Sequence, residues 1–380
     1  MGHEVTVREQ VPLAGYTTLG LGGPAARLIE AVSDEQIVSA VRAADRHGDP
    51  VLVLGGGSNL VVADAGFPGT VVRVASRGIA AAPDGDRVAV TVAAGENWDA
   101  VVSWCVGGGL SGLECLSGIP GLAGATPIQN VGAYGQDVAQ TVLTVRAYDR
   151  QRDVTTELSN ADCGFGYRTS AFKRAAAAKA GTATGRFIVL AVTFRLASDP
   201  LSAPVRYGEL ARALGVAEGG KVPLADAREA VLRLRKGKGM VLDPADPDTR
   251  SAGSFFTNPV LDQAQLAALE RAAAAACGSD ARVPRFPAGP GLVKIPAAWL
   301  IERAGYRKGY PGNGRAAPGG RPGQAGSGPR ISAKHTLALV NPGGATATSL
   351  LALARDIREG VRATFGVELV TEPVLVGAAL

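Results

Sequence analysis

A chain of 380 residues is long enough for about two or three domains and a sizeable core, and 46% hydrophobic with 19% charged residues describes a packed protein, not a disordered one. The net charge of +5 and isoelectric point near 9.1 suit anionic small substrates such as nucleotides or diphosphates, and no long basic tract points to nucleic acid. Cys105, Cys115, Cys163 and Cys277 form no C-x-x-C pair, only His3, His47 and His335 are present, and no uncharged apolar run could span a bilayer, which argues against zinc ribbons, dithiol redox motifs, multi-His metal sites and membrane insertion.

The first residues, MGHEVTVREQVPL, have no apolar core after a basic start, so no secretory signal is expected and the dispersed thiols fit a reducing, cytoplasmic setting. Residues 16–24 are turn-rich and 26–32 read as a strand. Ser33 is the expected N-cap of a helix running to about His47 and Gly48. The apolar run 51–54 predicts a buried strand that delivers Gly55, Gly56, Gly57, Ser58 and Asn59, a candidate phosphate loop, before strand-like sequence resumes at Val61 and Val62. Residues 71–74 and 88–92 read as strands, with Asp84 and Gly85 turning a hairpin between them. Asn97 opens a helix through Cys105. Residues 107–112 formally match G-x-G-x-x-G, but they follow a helix and open none, so they read as a helix cap and turn.

Residues 118–135 show neither a helical nor a strand period. Gly118, Gly121, Gly124, Gly132 and Gly135 permit backbone conformations closed to other residues, and Pro120 and Pro127 fix φ and remove donors, which predicts a shaped loop. Converging N–H groups in such a loop form a cradle for an anion, most commonly phosphate. Gln129 and Asn130, polar within a small and apolar run, suit amide groups reaching the edge of a flat heterocycle. A plain turn-rich connector accounts for the glycines and prolines equally well.

Strands follow at 141–148 and 187–196. Tyr207 and Gly208 precede a short helix, and residues 224–235 form a longer one whose Arg235 and Lys236 read as solvated cations compensating the helix dipole. Residues 243–250 form a polar loop, a candidate domain junction. Helices are predicted at 261–276, 297–303 and 349–365, a strand at 337–340, and a final strand pair over 367–376 around Thr371, Glu372 and Pro373. Residues 307–330 are half Gly or Pro with five Lys or Arg and no acid, a composition that buries no core and predicts a flexible loop, either a lid or an idle insertion.

Three separated polar groups stand in apolar or glycine-rich surroundings: Arg168, Ser254 and Glu372. Singly, each has a plain reading, as an ion-pair partner, a cap or turn residue, and an exposed strand charge. Together with Leu54-Gly-Gly-Gly-Ser-Asn59, Gly118-Ile-Pro-Gly121, Ile128-Gln-Asn-Val-Gly-Ala-Tyr-Gly135, Phe165-Gly-Tyr-Arg-Thr-Ser170, Ala252-Gly-Ser-Phe-Phe-Thr-Asn-Pro259 and Glu372-Pro-Val-Leu-Val-Gly377, they lie in an order that resembles the UDP-N-acetylenolpyruvoylglucosamine reductase (MurB) family across nearly the whole chain.

That resemblance implies an α+β protein: a two-lobed FAD-binding domain of the MurB/vanillyl-alcohol-oxidase type plus a smaller α/β substrate domain. The expected division is residues 1–78 as lobe 1 with the C-terminal strand 367–380, residues 79–242 as lobe 2, and residues 243–366 for substrate. It further implies noncovalent FAD, NADPH as reductant, and UDP-N-acetylglucosamine-enolpyruvate as substrate, reduced to UDP-N-acetylmuramate, with no metal. Arg168, Ser254 and Glu372 become the catalytic set. Gly55, Gly56, Gly57, Ser58, Asn59, Gly118, Gly121, Pro127, Gln129, Asn130, Gly132, Ala133, Tyr134 and Gly135 are carried over as the cofactor-binding residues, and Tyr167, Tyr207, Lys238 and Asn258 as the substrate-binding ones, with Tyr207 as the substrate-capping tyrosine of the longer subtype and Lys238 as the diphosphate contact. The chain departs from the family pattern in its longer spacing from Lys238 to Ser254 and in the long 307–330 stretch. Two competing readings remain: an oxidase with covalently tethered flavin, for which residues 49–104 offer no His or Cys, and an RNA-binding protein using the Arg/Gly-rich 307–330 stretch, which lacks aromatic interleaving beyond Tyr306 and Tyr310.

Overall fold

Ser33 leaves extended backbone and its hydroxyl accepts from the Gln36 N–H, so the helix Asp34–His47 begins where the sequence predicts; Gly48 ends it in the left-handed region at φ +71°. The buried stripe of this helix, Ile37, Val41 and Ala44, shares a core with Ala31, Val51, Val72 and Val74 of a four-stranded sheet. That sheet runs in the order Val7–Pro12, Pro24–Ala31, Phe67–Val74, Val51–Leu54, the first pair antiparallel and the others parallel. The near-continuous apolar run of Val51–Leu54 fits a strand covered on both faces.

A second, antiparallel sheet runs Val154–Ser159, Val142–Asp149, Phe187–Ser198, Arg87–Ala93, Ile79–Asp84, with Leu110–Ser111 also pairing to the long Phe187–Ser198 strand. Two corrections follow. The hairpin turn at Asp84 and Gly85 joins Ile79–Asp84 to Arg87–Ala93, while Phe67–Val74 belongs to the other sheet. The sequence expectation missed Ile79–Asp84 because its Ala-Ala-Ala-Pro core is exposed and shows no alternation, and it missed Val154–Ser159, equally exposed, for the same reason. Helix Trp98–Gly107 is capped by the Asn97 side chain, and its buried Trp98 stacks at a tilt on Phe194, ring centroids 5.6 Å apart, while donating its indole N–H to the Leu116 carbonyl at 3.1 Å.

The described residues are 6–177, 184–311 and 328–380 of a computed structural model, and they divide into two compact units. One comprises Met1–Pro12, Pro24–Gly57 and Gly66–Leu242, and the other Leu13–Gly23, Ser58–Ala65 and Asp243–Leu380. The central part of the stretch expected as a lid or insertion, residues 312–327, lies outside the described residues.

In the second unit, capping boxes start two helices: Asp262 with Gln265 for Gln263–Cys277, and Thr346 with Ser349 for Ala347–Phe365. Asp64 adds two further bonds at the start of the latter, accepting from the Ala347 and Thr348 N–H groups at 2.8 and 2.9 Å. The core gathers Phe255, Phe256, Leu300, Leu350, Ile357 and Val361. Where a strand pair was expected over 367–376, only Val374–Val376 is a strand, and it pairs in parallel with Leu60–Val62; Thr371 instead bridges Phe256. Backbone bonds to the 255–257 segment outcompete a local hairpin that Pro373 would interrupt.

Candidate functional site

Residues 118–135 are a shaped loop with short regular pieces, a correction to the expectation of none: a 3-10 turn at Ala123–Ala125 and a hairpin of Gly132–Ala133 with Gln136–Asp137. Its glycines serve close packing as well as curvature. A Cβ on Gly56 would stand 2.8 Å from the Gly121 Cα, so the two glycine loops touch backbone to backbone, and Gly121 itself sits at φ +122°. A Cβ on Gly132 would stand 2.9 Å from that of Asp137. The Gly118 N–H donates to Asp99 Oδ1 at 2.6 Å, and Asp99 also receives both terminal nitrogens of Arg228 at 2.6 and 2.9 Å. Burial alone would raise the Asp99 carboxyl, but Arg228 and the Gly118 N–H outweigh it and hold it below its ordinary value.

The segment carrying Arg168 is stitched to this loop. Asn130 Nδ2 donates to the Gly166 carbonyl at 3.0 Å, Ser170 Oγ to the Ile128 carbonyl at 2.7 Å, and Arg168 Nη2 to the Gly132 carbonyl at 3.0 Å. Lys173 Nζ reaches both Gln129 Oε1 and the Arg168 carbonyl at 3.2 Å. The Pro127 carbonyl accepts the Asn130 N–H at 3.4 Å. Asn130, Tyr134 and Arg168 all take positive φ, +44°, +49° and +52°, a conformation that costs about 1–2 kcal/mol for an L-residue, and these bonds hold Asn130 and Arg168 in it. Arg168, Gln129, Asn130, Gly132 and Ala133 are thus brought into one neighbourhood. Burial pushes the nearby Asp137 carboxyl up, with the Arg168 charge opposing it.

On the other side of the hairpin, the Tyr134 and Tyr207 rings meet edge to face with centroids 5.5 Å apart. The Lys238 ammonium lies 5.5 Å from the Tyr134 ring centre and donates to Glu209 at 2.6 Å. Tyr207 is 44% exposed, and Tyr167 is also exposed. Gly135 packs close to Arg206, next to Tyr207.

Beside Lys173, three residues of this neighbourhood escape sequence reasoning: Arg235, Glu114 and Gln136. Arg235 is no solvated cation: it is 8% exposed, Nη2 donates to the Met240 carbonyl at 2.9 Å, and Nε has no hydrogen-bond partner among the described residues. Burial lowers it to about 10, which leaves it charged at neutral pH. The signal was present, since Leu224, Ala227, Val231 and Arg235 share one helical stripe of Leu224–Gly237. Glu114, fully buried, accepts from Gly112 N–H, Ala203 N–H and Gln136 Nε2 at 2.7, 2.7 and 2.9 Å, and Gln136 Oε1 in turn accepts from the Cys115 N–H at 2.9 Å. No motif marked that network, because its partners are mostly backbone groups far apart in sequence.

In the second unit, Glu372 donates its N–H to the Phe255 carbonyl at 2.9 Å, setting Glu372 beside the segment that holds Ser254. Asn59 joins them: its Nδ2 donates to the Glu372 carbonyl at 3.4 Å, and its own carbonyl accepts from the Val374 N–H at 2.9 Å. Ser254 follows Gly253 at φ +71° in irregular backbone, caps no helix, and its hydroxyl makes no hydrogen bond with another described residue. Asn258 Oδ1 accepts from Ala297 N–H at 2.9 Å, which spends its oxygen on the start of the helix Ala297–Arg303. Ser58 and Asn59 fall in this unit, and Gly55, Gly56 and Gly57 in the other.

Residues 25–184 match the family described as FAD binding domain, and residues 244–376 match UDP-N-acetylenolpyruvoylglucosamine reductase, C-terminal domain. The chain is 56% identical over 372 residues to the UDP-N-acetylenolpyruvoylglucosamine reductase of Thermobifida fusca, covering 97% of this chain and 98% of that one. The chain belongs to the UDP-N-acetylenolpyruvoylglucosamine reductase family. The Streptomyces coelicolor reductase is 54% identical over 371 residues, covering 97% and 90% of the two chains. The crystal structure of the reductase from Thermus caldophilus superposes with a TM-score of 0.62 at 26% identity, covering 98% of this chain and 99% of that one. The α+β fold with an FAD-binding domain is therefore that of the reductase family.

The residues present fit FAD as this family membership implies. A buried guanidinium with a donor left over, Arg235 Nε, stands 3.5 Å from where a Gly118 Cβ would be, so a donor in want of an acceptor lies against the central glycine loop. An electron-rich heterocycle edge or a phosphate supplies such an acceptor. Among the described residues no cluster of three or more His, Cys, Asp or Glu could hold a metal ion, and no helix is long and apolar enough to cross a membrane.

Proposed function

We propose that this chain is a cytoplasmic flavoenzyme that reduces the enolpyruvyl ether of UDP-N-acetylglucosamine-enolpyruvate to the lactyl ether of UDP-N-acetylmuramate, with NADPH as reductant, in peptidoglycan precursor synthesis. The observation that carries the reading is the 56% identity to a UDP-N-acetylenolpyruvoylglucosamine reductase over 97% of the chain. When bound, FAD supplies the hydride that NADPH has delivered to it. In this reading residues 1–78, with the C-terminal strand 367–380, and residues 79–242 serve FAD, and residues 243–366 serve the substrate.

Hydride addition to the terminal carbon of the enolpyruvyl double bond leaves negative charge on the carbon beside the carboxylate, so the substrate approaches a dianion. Arg168, permanently charged and fork-shaped, is assigned to that charge, and its guanidinium is already oriented by the Gly132 carbonyl. Ser254 is assigned the proton that quenches the carbanion; a strongly basic carbon does not demand an acid of low pKa. Glu372 is assigned to orient or stabilise the enolic intermediate. Tyr207 caps the substrate, Tyr167 lines its site, and Lys238 meets the diphosphate, where a point-charge ammonium suits a phosphate oxygen. Asn258 keeps its amide nitrogen for the substrate while its oxygen serves Ala297.

The test is product analysis. Purified protein incubated with NADPH and the enolpyruvyl substrate should consume both in equal amounts and yield a product heavier by two hydrogens, and acid precipitation should release the flavin to the supernatant. A colourless protein that takes up no added FAD, or NADPH consumption independent of the enolpyruvyl substrate, would overturn the proposal.

A further inference from the structure

Lys173 lies in the helix Ala171–Ala177, which Ser170 begins by accepting the Lys173 N–H and which Phe172 anchors through an edge-on contact with Phe187, ring centroids 6.0 Å apart. Its ammonium donates to acceptors on two different segments, Gln129 Oε1 and the Arg168 carbonyl, each at 3.2 Å. An ammonium has donors only, so the Gln129 oxygen is the end that faces it, which leaves the amide nitrogen, a double donor, as the other end of the side chain. The other bond falls on the carbonyl of a residue held at φ +52°, where an arginine gains nothing from its own backbone preference.

We propose that Lys173 is a positioning residue that sets the hydrogen-bond polarity of Gln129 and holds the Arg168 turn, so that Gln129 presents an amide N–H to an acceptor on the heterocycle edge of the bound flavin. The inference rests on the flavoprotein reading above. A fixed donor backed by a nearby cation favours an electron-rich acceptor, and the two-electron reduced flavin is the richer of the two redox states, so Lys173 should stabilise reduced flavin more than oxidised flavin.

The test compares wild type, Lys173→Met, Lys173→Arg, Gln129→Leu and the Lys173→Met/Gln129→Leu double variant, reading the FAD dissociation constant of the apoprotein and the flavin midpoint potential of the holoprotein. Lys173→Met should weaken FAD about tenfold or more, as for one lost charge-assisted hydrogen bond. It should also weaken reduced flavin about tenfold more than oxidised flavin, which for a two-electron couple lowers the midpoint potential by about 30 mV. Lys173→Arg should restore most of both. Gln129→Leu should give the same potential shift, and adding Lys173→Met to it should change little further. A lowered melting temperature with an unchanged potential, or additive shifts in the double variant, would overturn the proposal. Should Lys173→Met give no folded apoprotein, Lys173→Gln, which keeps a donor for the Arg168 carbonyl, carries the same comparison. If wild-type protein binds FAD and the Lys173 variants match it in both readouts, only this inference fails; if wild type takes up no FAD, the flavoprotein reading fails with it.

Discussion

Ser254 concentrates the residue-scale argument, because the assigned chemistry uses it in one half-reaction only. Reduction of flavin by NADPH needs no proton delivered to carbon, so Ser254→Ala should bleach the flavin at a near-normal rate, while reoxidation by the enolpyruvyl substrate should fall by about 10²- to 10⁴-fold. Ser254→Cys should recover part of that loss. A cap residue would instead cost about 0.5–2 kcal/mol of stability with no preference between half-reactions, and no helix begins at Ser254. Stopped-flow absorbance with each partner separately reads the difference, and equal slowing of both phases would remove Ser254 from the set. At this scale the sequence singles out a side chain where it sits in a recognisable motif, as Arg168, Ser254 and Glu372 do. It misleads where burial decides the role: Arg235 reads as a helix-end cation, yet it completes an apolar stripe and reaches the glycine loop with Nε unpaired among the described residues. Lys173 carried no signal at all, since its partners come from Gln129 and a backbone carbonyl.

The two glycine loops are the elements to which cofactor binding is assigned. Because a Cβ on Gly56 meets the Gly121 backbone and not a yielding side chain, Gly56→Val should separate the loops and abolish FAD retention; a variant that keeps FAD with wild-type affinity would show that their contact is not required. Asp99 ties the Gly118 end of the same loop to the helix Leu224–Gly237 through Arg228. Its carboxyl is held below its ordinary value, so its stabilising contribution is fully present above the unfolded carboxylate range, about pH 4, and is lost as pH falls through the lowered folded value. Thermal melts of wild type should therefore lose stability in that acidic window relative to Asp99→Asn, which is weaker at neutral pH and lacks this term; parallel pH profiles for the two would contradict the assignment. Elements with strong local signals were legible in advance, such as Asp34–His47 behind Ser33 and Trp98–Gly107 behind Asn97. The short pairings were not: Ile79–Asp84 and Gly132–Ala133 exist because of what they pair with, and of the strand pair expected over 367–376 only Val374–Val376 forms, on Leu60–Val62, a partner no window of sequence carries.

For the whole molecule, the order of the motifs in the sequence points to the family, and the family descriptions matching residues 25–184 and 244–376 cover nearly all of those motifs. The polarity of the chemistry is what remains to be measured most directly: reduced flavin on this protein must give its electrons to an enolpyruvyl ether. Holoprotein reduced with a stoichiometric amount of dithionite under anaerobic conditions, freed of excess reductant, and mixed with UDP-N-acetylglucosamine-enolpyruvate should recover its full oxidised-flavin absorbance with one equivalent of lactyl ether formed per flavin. Flavin that stays reduced in the presence of this substrate, and is reoxidised only when oxygen is admitted, would contradict the account.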